Sequence, residues 1–420
     1  MSIAKVRGTR DLLPEDMVAQ QRVEQAAHEV FARFGYGEIR TPMFERTELF
    51  VRGIGEATDI VSKEMYTFDD RGGRSVTLRP EGTAGVVRAC LEQNLFKQSP
   101  VHKLYYVGPM FRYERPQAGR YREFWQAGIE AFGVSDPLID AEVLVCAYEF
   151  VAALGIKPVE IRLNSIGNEE RPAYIEKLKD YIRPRLADLG GRDQERFEAN
   201  PLRMLDSKDA RTREMLADAP KVADHLSSES VEHFEAVRRL LDKSGVPYEV
   251  DPYIVRGLDY YTRTVFEITT DGLGAQDAIL AGGRYDDLVS EVGGQAVPGI
   301  GFAAGLDRLI LAMREQDVAI DEGSRHDVYV VTIGDDTRET AFEALTALRR
   351  AGMRAEMDHQ GRSVRAQMKT ANQLRVPYVV VLGEDEIAQQ EATVRNMDDQ
   401  SQETVPLAEL ASRLSARSNP

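Results

Sequence analysis

The sequence has very little cysteine, with only Cys90 and Cys146 among 420 residues. Two thiols so far apart form neither a Cys-x-x-Cys pair nor a four-cysteine zinc site, and both lie in apolar, helix-like stretches. We therefore expect buried thiols in a reducing compartment, and we predict a cytoplasmic protein. The amino-terminal residues lack an apolar leader and no run approaches about 18 apolar residues, so we expect neither a signal peptide nor a membrane span.

Motifs of the common nucleotide and metal sites are missing as well. No Gly-x-x-x-x-Gly-Lys-Ser/Thr loop occurs, and the glycines at 299, 301 and 305 miss the spacing of a dinucleotide fingerprint. The six histidines form no His-Glu-x-x-His pair. These absences exclude a P-loop and disfavour a dinucleotide-binding fold. His225 and His233 lie in a charged helical segment, so we interpret them as solvated helix residues rather than ligands.

Basic residues are outnumbered, since 53 Lys and Arg face 69 Asp and Glu, for a net charge of −16. That sum argues against a nucleic-acid partner, because phosphate binding draws on Lys and Arg. The arginines, however, are clustered at 112–122, at 256 and at 349–375, and from 343 to 376 seven basic residues face three acidic ones. A local nucleic-acid surface is therefore compatible with the acidic total.

The order of the predicted elements indicates two domains. Up to residue 313, strand-like runs arrive in successive groups, which favours an α+β fold with an antiparallel sheet flanked by helices. The stretch 168–245 has a charged helical pattern, which predicts a helical insertion, although an ordinary run of surface helices is an open alternative. Beyond a polar linker, strands and helices alternate as in a small α/β domain. We predict domains at 1–325 and 326–420.

Arginine-bearing strand segments carry the chemistry. Alternation along a predicted hairpin places Arg112 and Glu114 on one face, and Phe124, Gln126 and Glu130 on a common face of the next strand. Such a face is a poor core wall, because each buried charge needs a partner. It suits a polar ligand, because guanidinium groups bind phosphate, Phe stacks on a base and carboxylates bind an amine.

Three later segments add glycines and further polar groups. Residues 255–262 pack an Arg, an Asp and two Tyr around a glycine turn, and residues 280–286 contain Gly-Gly-Arg-Tyr-Asp. A Gly-rich strand at 299–305 then enters a helix whose first turn holds Arg308. Glycines allow a ligand to approach a strand closely and a helix start binds anions, although plain turns are the alternative for each glycine pair taken alone.

These motifs resemble a known family. Phe111-Arg112-Tyr113-Glu114 with Phe124 is similar to the second signature of class II aminoacyl-tRNA synthetases, 301–308 to the third, and 14–42 to the degenerate first one. Within that class the chain resembles the histidyl-tRNA synthetase family, most specifically through Arg-Gly-Leu-Asp-Tyr-Tyr at 256–261. The resemblance extends from Gly8 to the last domain. Other matching stretches are Thr77–Thr83, Asn200–Asp206 and Ala281–Asp286.

The resemblance implies a class II catalytic domain with a C-terminal anticodon-binding domain. It also implies a histidine–tRNA ligase, which joins L-histidine to ATP as histidyl-adenylate and then transfers it to the 3′ end of tRNA(His). The implied cofactors are ATP and Mg²⁺, with the metal on the ATP phosphates rather than in a protein-only cage. The implied assembly is a homodimer with the Pro42 region at its interface.

The resemblance assigns roles residue by residue. Arg256 and Arg112 would act in catalysis, facing each other across the α-phosphate. ATP would be bound by Arg112, Glu114, Phe124 and Arg308. Histidine would be bound by Glu81, Thr83, Gln126, Glu130, Tyr260 and Tyr261, with Glu130 and Tyr261 on the imidazole.

One alternative is a catalytically silent regulatory subunit of ATP phosphoribosyltransferase. Such subunits resemble the catalytic domain but lack the anticodon domain and often lose the phosphate-binding arginines, which this chain retains.

Two positions depart from the usual motifs. Trp125 stands where a polar residue is common, and alternation predicts that it points away from the site. Asp307 replaces the more usual Glu beside Arg308.

Overall fold

The structure is a computed structural model. It describes all residues except 1–2, 57, 158, 206, 208, 256–257, 259, 271–272, 274–277, 321–325 and 419–420. The chain divides into two compact units, Met1–Ile320 and Asp321–Pro420.

The first unit is built on a large sheet. Its eight strands lie in the order β1-β5-β6-β11-β10-β9-β7-β8, and the outermost pairs, β1 with β5 and β7 with β8, are parallel while the rest are antiparallel. The predicted sheet flanked by helices is thus confirmed, with a parallel strand at each edge. Strands β2, β4 and β3 form a separate small sheet. The strands are β1 (Gly37–Glu38), β2 (Phe44–Arg46), β3 (Tyr66–Asp69), β4 (Ser75–Leu78), β5 (His102–Phe111), β6 (Glu123–Phe132), β7 (Glu160–Ser165), β8 (Tyr248–Val250), β9 (Thr262–Thr269), β10 (Ala278–Arg284) and β11 (Gly299–Gly305).

Helices cover one face of this sheet, hereafter the helix-covered face. There α1, α5, α9 and α11 pack on apolar strand residues and form the main core. Val237 and Leu241 of α9 belong to that core, although they lie in the charged segment 168–245. The helices are α1 (Pro14–Arg33), α2 (Thr47–Ile54), α3 (Thr83–Glu92), α4 (Leu95–Gln98), α5 (Pro137–Ala153), α6 (Arg171–Ile182), α7 (Gly191–Ala199), α8 (Ala210–Leu216), α9 (Ser228–Ser244), α10 (Leu288–Glu291) and α11 (Leu306–Glu315).

The chain between β7 and β8 leaves the sheet and forms a helical region. Helices α6, α7 and α8 build a separate core around Tyr174, Leu178 and Met204 before α9 returns to the sheet. The return is required because β8 pairs with β7, the strand from which the excursion began.

Strand β10 is missing from the sequence prediction, which interpreted its Gly282-Gly283 pair as a candidate turn. In the structure both glycines lie inside the sheet, and neighbouring strands approach them closely. A Cβ atom added to Gly282 would lie 2.3 Å from the carbonyl oxygen of Gly301, and one added to Gly283 would lie 2.7 Å from that of Thr264. Here glycine permits close packing within a strand rather than a turn.

The second unit has a mixed five-stranded sheet, as its alternating pattern predicts. In the order β13-β12-β14-β15-β16, the first three strands are parallel and the last two antiparallel, with apolar clusters on both faces of the sheet. Its elements are β12 (Val328–Thr332), α12 (Arg338–Arg350), β13 (Ala355–Met357), α13 (Val364–Gln373), β14 (Tyr378–Leu382), α14 (Glu384–Ala388), β15 (Glu391–Asn396), β16 (Gln402–Pro406) and α15 (Leu407–Ser418).

Candidate active site

The face of the large sheet opposite the main core, hereafter the cavity face, carries a cavity of about 1210 Å³. Its lining includes nearly all of the residues singled out in the sequence, together with residues of α8 and of the loop after β8. Arg256 lies outside the described residues. The lining residues that the sequence predicted are Glu81, Thr83, Arg112, Glu114, Phe124, Gln126, Tyr260, Tyr261 and Arg308.

Glycines on the central strands leave the room for this cavity. Gly128 of β6 lies opposite Tyr106 of β5, and Gly301 of β11 lies opposite Glu130 of β6. A Cβ atom at Gly301 would lie 2.3 Å from Oε2 of Glu130, and one at Gly128 would lie 2.5 Å from the Tyr106 hydroxyl. Any larger residue at either position would displace a polar side chain of the site.

Glu130 lies beneath the cavity and is only 1% exposed. Its Oε1 accepts a hydrogen bond of 2.7 Å from the Thr83 hydroxyl, and its Oε2 accepts one from the Tyr285 hydroxyl. Burial raises the pKa of Glu130 to about 8, although these two hydrogen bonds lower it. The carboxyl group can therefore change its charge near neutral pH, unlike an ordinary surface glutamate.

Glu81 lies at the start of α3. Its carboxylate accepts the backbone N–H groups of Thr83 at 2.6 Å and of Ala84 at 2.9 Å, so it satisfies donors that the helix start leaves unpaired. Burial raises the pKa of Glu81, and the backbone hydrogen bonds oppose that rise. Because a carboxylate has about four acceptor positions, the group can still bind an amine.

Arg112 follows β5 and is held at the rim of the cavity. Its Nε donates to the carbonyl oxygen of Pro80 at 2.8 Å, and its guanidinium lies 5.4 Å from the centre of the Phe124 ring. The carboxylate of Glu114 is 3.9 Å from Arg112 and accepts a hydrogen bond of 3.0 Å from Arg120. The structure thus brings the predicted guanidinium, ring and carboxylate together.

The Gly-rich strand β11 runs directly into α11, as predicted. Arg308, in the first turn of that helix, donates from Nε to the carbonyl oxygen of Ala278 at 3.0 Å. The neighbouring Asp307 forms an ion pair with Arg10, which also stacks 4.6 Å above the ring of Tyr121. The shorter Asp side chain at 307 therefore has a structural partner from the amino-terminal segment.

Among the cavity tyrosines to which the sequence assigned no role, Tyr106 and Tyr285 lie closest to Glu130 in the pairing and contacts of the site. Tyr106 lines the cavity, and Tyr285 both lines it and donates to Glu130. Tyr106 could have been found, because it shares the alternation of Gln126 across the hairpin and faces a glycine. Tyr285 stands inside a segment that the sequence singled out, but no local pattern indicates that its hydroxyl reaches a strand 155 positions away.

The structure confirms the expectation for Trp125 and contradicts the one for His233. Trp125 packs against the main core on the helix-covered face, as alternation predicts, whereas Phe124 and Gln126 line the cavity. The interpretation of His233 as a solvated residue is wrong. His233 is 7% exposed and lies 3.1 Å from the carboxylate of Asp140, because α9 turns its apolar side and this histidine towards α5.

Three of the seven basic residues in the cluster of the second unit have carboxylate partners. Arg349 lies 3.7 Å from Glu356, Arg362 lies 2.5 Å from Asp358, and Arg354 lies 2.6 Å from Asp327. These pairs neutralise part of the local excess of positive charge. The remaining basic residues of the cluster are Arg350, Arg365, Lys369 and Arg375.

The described residues contain neither a candidate metal cluster nor a candidate membrane-spanning helix. Among them no three His, Cys, Asp or Glu side chains are arranged to hold a metal ion. Within that same part of the chain, no helix combines the length and apolar character that crossing a bilayer requires. Both cysteines are buried, and burial raises the pKa of Cys90 to about 12.

Known proteins resemble the chain over both units. The family model for histidyl-tRNA synthetase matches residues 8–309, and that for an anticodon binding domain matches residues 327–417. A protein of Desulforamulus reducens named histidine–tRNA ligase is 49% identical over 418 residues, which cover 99% of this chain and 100% of the relative.

Two solved structures extend the comparison. A crystal structure of apo S. aureus histidyl-tRNA synthetase is 37% identical, with a TM-score of 0.84 over 99% of this chain and 100% of that one. A structure from Bacillus halodurans C, described as an ATP phosphoribosyltransferase regulatory subunit/histidyl-tRNA synthetase, is 21% identical. Its TM-score is 0.66, over 91% of this chain and 99% of that one, and it shows similarity of fold alone.

Proposed function

Because this chain belongs to the histidyl-tRNA synthetase family, we propose that its polar cavity is where histidine and ATP are joined. The protein is an enzyme that attaches histidine to tRNA. One observation carries the assignment of the site. One cavity brings together two arginines and an aromatic ring, which suit a nucleotide, and buried polar groups, which suit an amino acid.

ATP would occupy the end of the cavity at Arg112 and Arg308. Arg112 has the planar fork that binds a phosphate through two hydrogen bonds, and its backbone anchor at Pro80 fixes its direction. Phe124 provides a ring for adenine, and Glu114 an acceptor for the adenine amino group. Arg308 would reach the distal phosphates from the start of α11. Magnesium would enter with the ATP phosphates as part of the substrate.

Histidine would occupy the deeper end. Glu81 and Thr83 present acceptors for its amino group, and Gln126 presents an amide whose Oε1 is buried with no hydrogen-bond partner among the described residues. Glu130, Tyr260 and Tyr261 would surround the imidazole ring. We add Tyr285 to this set, because its hydroxyl holds the Glu130 carboxyl group.

The first step forms a bond between a carboxylate oxygen of histidine and the α-phosphorus of ATP while the bond to pyrophosphate breaks. This step needs in-line placement and neutralised oxygen charge more than it needs a base. Arg112 provides a fixed positive charge at the rim, and Arg256 would provide a second one on the opposite side. A ribose hydroxyl at the 3′ end of tRNA(His) then attacks the carbonyl carbon, and AMP leaves.

Specificity follows from the same polar lining. A neutral imidazole has one donor and one acceptor, which Glu130 and the tyrosines can match. An apolar amino acid would leave these buried groups unpaired, and such sites reject the wrong substrate by as much as ~10⁴-fold.

Histidine-dependent exchange of pyrophosphate into ATP tests this proposal. The full-length protein should catalyse exchange with histidine and not with the other amino acids. Absence of exchange with histidine would show that the cavity does not form the adenylate.

The role of Arg256 has its own test. We expect Arg256→Ala to slow adenylate formation at least ~10²-fold, about 3 kcal/mol of lost charge stabilisation. Arg256→Lys is the matched control, because it keeps the charge and loses the fork. A wild-type pre-steady-state rate in Arg256→Ala would remove the residue from the mechanism.

A homodimer is part of the proposal. The small sheet after Pro42 exposes large apolar side chains on one face, with Phe44 58% and Phe68 51% exposed. A second copy of the chain would cover this face. Light scattering should give twice 47.0 kDa, and Phe44→Asp combined with Phe68→Asp should give a monomer. A wild-type mass of 47.0 kDa would contradict the dimer.

The remaining proposals concern tRNA and location. The second unit would contact the anticodon of tRNA(His) through its basic cluster, and the protein would act in the cytoplasm, where its two thiols stay reduced. The alternative of a silent regulatory subunit is disfavoured, because Arg112 and Arg308 line the cavity and an anticodon-domain model matches the second unit.

A further inference from the structure

A chain of buried polar side chains lies on the helix-covered face, behind the cavity. Arg284 is 0% exposed, and its guanidinium forms an ion pair with Asp140 of α5 and donates to Asp286 at 2.9 Å and to the Val134 carbonyl at 3.1 Å. Asp140 is also 0% exposed and lies 3.1 Å from Nε2 of His233 on α9. The proposed function uses none of these residues.

Arg263, the next side chain in this network, determines which ring nitrogen of His233 donates and which accepts. Arg263 lies with a guanidinium nitrogen 3.4 Å from Nδ1 of His233 and is paired with Glu229 at 2.5 Å. A guanidinium only donates, so Nδ1 must accept, and the ring proton therefore sits on Nε2 and is donated to Asp140. Burial alone would raise the pKa of Asp140, but the bonds from His233 and Arg284 bring it below its ordinary value. His233 thus links the carboxylate of Asp140 to the guanidinium of Arg263.

This chain spans a defect in the sheet. The pairing of β9 with β10 shifts register between Gly283 and Arg284, where Gly283 opposes Val265 but Arg284 opposes Thr262. Arg263 lies in the skipped stretch with a positive φ of 46°, which is costly for a residue with a side chain. Ladder hydrogen bonds do not run regularly across this bulge. A network of side-chain contacts, running from Arg263 through His233 and Asp140 to Arg284, connects the two strands across the bulge.

Tyr285 follows Arg284 directly and points to the opposite face. There its hydroxyl donates to Glu130, and its ring packs against Tyr260 at 5.7 Å. The bulge interrupts regular pairing on the β9 side only, because β10 pairs in register with β11 up to Arg284 and the Tyr285 N–H donates to the Gly299 carbonyl at 2.8 Å. On the β9 side the position of Tyr285 therefore depends on how firmly the Arg284 side chain is held. A shift of the backbone at Arg284 would move the Tyr285 hydroxyl relative to Glu130.

We propose that Asp140, His233 and Arg284 are positioning residues that hold Tyr285 against Glu130 and thereby set the enzyme's affinity for histidine. This inference rests on the proposed role of Glu130 in binding the substrate imidazole. Replacing His233 removes the contacts that connect Asp140 to Arg263. The strands on both sides of the bulge are then held less firmly. The arginines at the ATP end of the cavity have anchors of their own, Arg112 on the Pro80 carbonyl and Arg308 on the Ala278 carbonyl.

The test uses full-length protein and pyrophosphate exchange with histidine and ATP varied separately. His233→Leu should raise the KM for histidine about tenfold, the size expected for losing one buried polar contact, while kcat and the KM for ATP change less than about twofold. His233→Gln should restore the wild-type KM for histidine, because its amide can donate to Asp140 and accept from Arg263. An unchanged KM for histidine in folded His233→Leu would overturn the proposal.

A double-mutant cycle separates positioning from general weakening of the fold. If His233 acts through Tyr285, His233→Leu should add less than about twofold to the histidine KM once Tyr285→Phe has removed the hydroxyl. The same tenfold factor on both backgrounds would overturn the proposal. Should His233→Leu fail to fold, Asp140→Asn is measured in its place with the same two outcomes. Absent exchange in the wild type would instead refute the proposed function.

Discussion

The two faces of the large sheet differ in what they bury. On the helix-covered face Phe31 of α1, Phe150 of α5 and Phe302 of β11 pack together, in a core that is mostly apolar apart from the polar side chains around Arg284. The cavity face uses glycines to make room and, beside a smaller apolar cluster of its own, buries carboxylates and tyrosines. Alternation along each strand therefore places the main core on one side of the sheet and the chemistry on the other. Substitutions on the two faces should accordingly change different measured quantities.

The largest effect is expected on the helix-covered face. Phe31 is fully buried, with its ring 5.0 Å from Phe150 and 5.6 Å from Tyr105. Phe31→Ala should lower the free energy of unfolding by about 3–5 kcal/mol, with Phe31→Leu costing about 1 kcal/mol as the control. Urea unfolding followed by Trp125, the only tryptophan, measures this change. If Phe31→Ala also changed the KM for histidine tenfold, the two faces would not have separate roles.

The next effect belongs to the cavity face. Arg112→Ala should slow histidine-dependent exchange at least ~10²-fold, about 3 kcal/mol, because a fixed charge at the α-phosphate is lost. The urea midpoint should stay near that of the wild type, since Arg112 lies at the rim. Arg112→Lys should recover part of the rate. A fall in stability comparable to that of Phe31→Ala would show that this face also supports the fold.

A smaller effect should appear in the pH dependence of stability. Because burial raises the pKa of Glu130 from 4.5 to about 8, the folded protein retains a proton that the unfolded chain loses as pH rises from about 4.5 to 8. Folding is therefore progressively destabilised across that window.

Glu130→Gln removes this titration. Its stability relative to the wild type should rise by up to about 1.4 kcal/mol per pH unit between pH 6 and 8 and level off above. Urea unfolding at a series of pH values measures the difference. A difference that stays constant from pH 6 to 9 would mean that Glu130 is already ionised at pH 6 in the folded protein.

The smallest effect is expected at Trp125, which lies between two cavity residues but points away from them. Trp125→Phe should leave the KM values for histidine and ATP within about twofold, because the ring contacts the core of the other face. Exchange kinetics measure these values, and circular dichroism checks the fold. A large change in either KM would show that a tryptophan at this position, in place of the usual polar residue of the motif, alters the site.

Several parts of the fold and the site could be predicted from the sequence. The faces of the β5–β6 hairpin could be predicted, since the period of two and the ring, amide and carboxylate of Phe124, Gln126 and Glu130 are local signals. Tyr285 and the role of His233 were not, because each depends on a partner far away in the chain. Strand β10 was missed because a glycine pair has the same local signature in a turn and in a closely packed strand.

The sequence by itself determined the element order, the two domains' fold classes, the alternation that separates the sheet's faces and the resemblance that points to histidine and ATP. These follow from periodicity and residue chemistry, which are properties of neighbouring positions. The tertiary structure alone decided that Glu130 is held by Thr83 and Tyr285, that its pKa rises to about 8, and that Asp140 links α9 to β10. These depend on burial and on contacts between distant segments, because a side chain loses water and gains partners only when the sheet has closed around it.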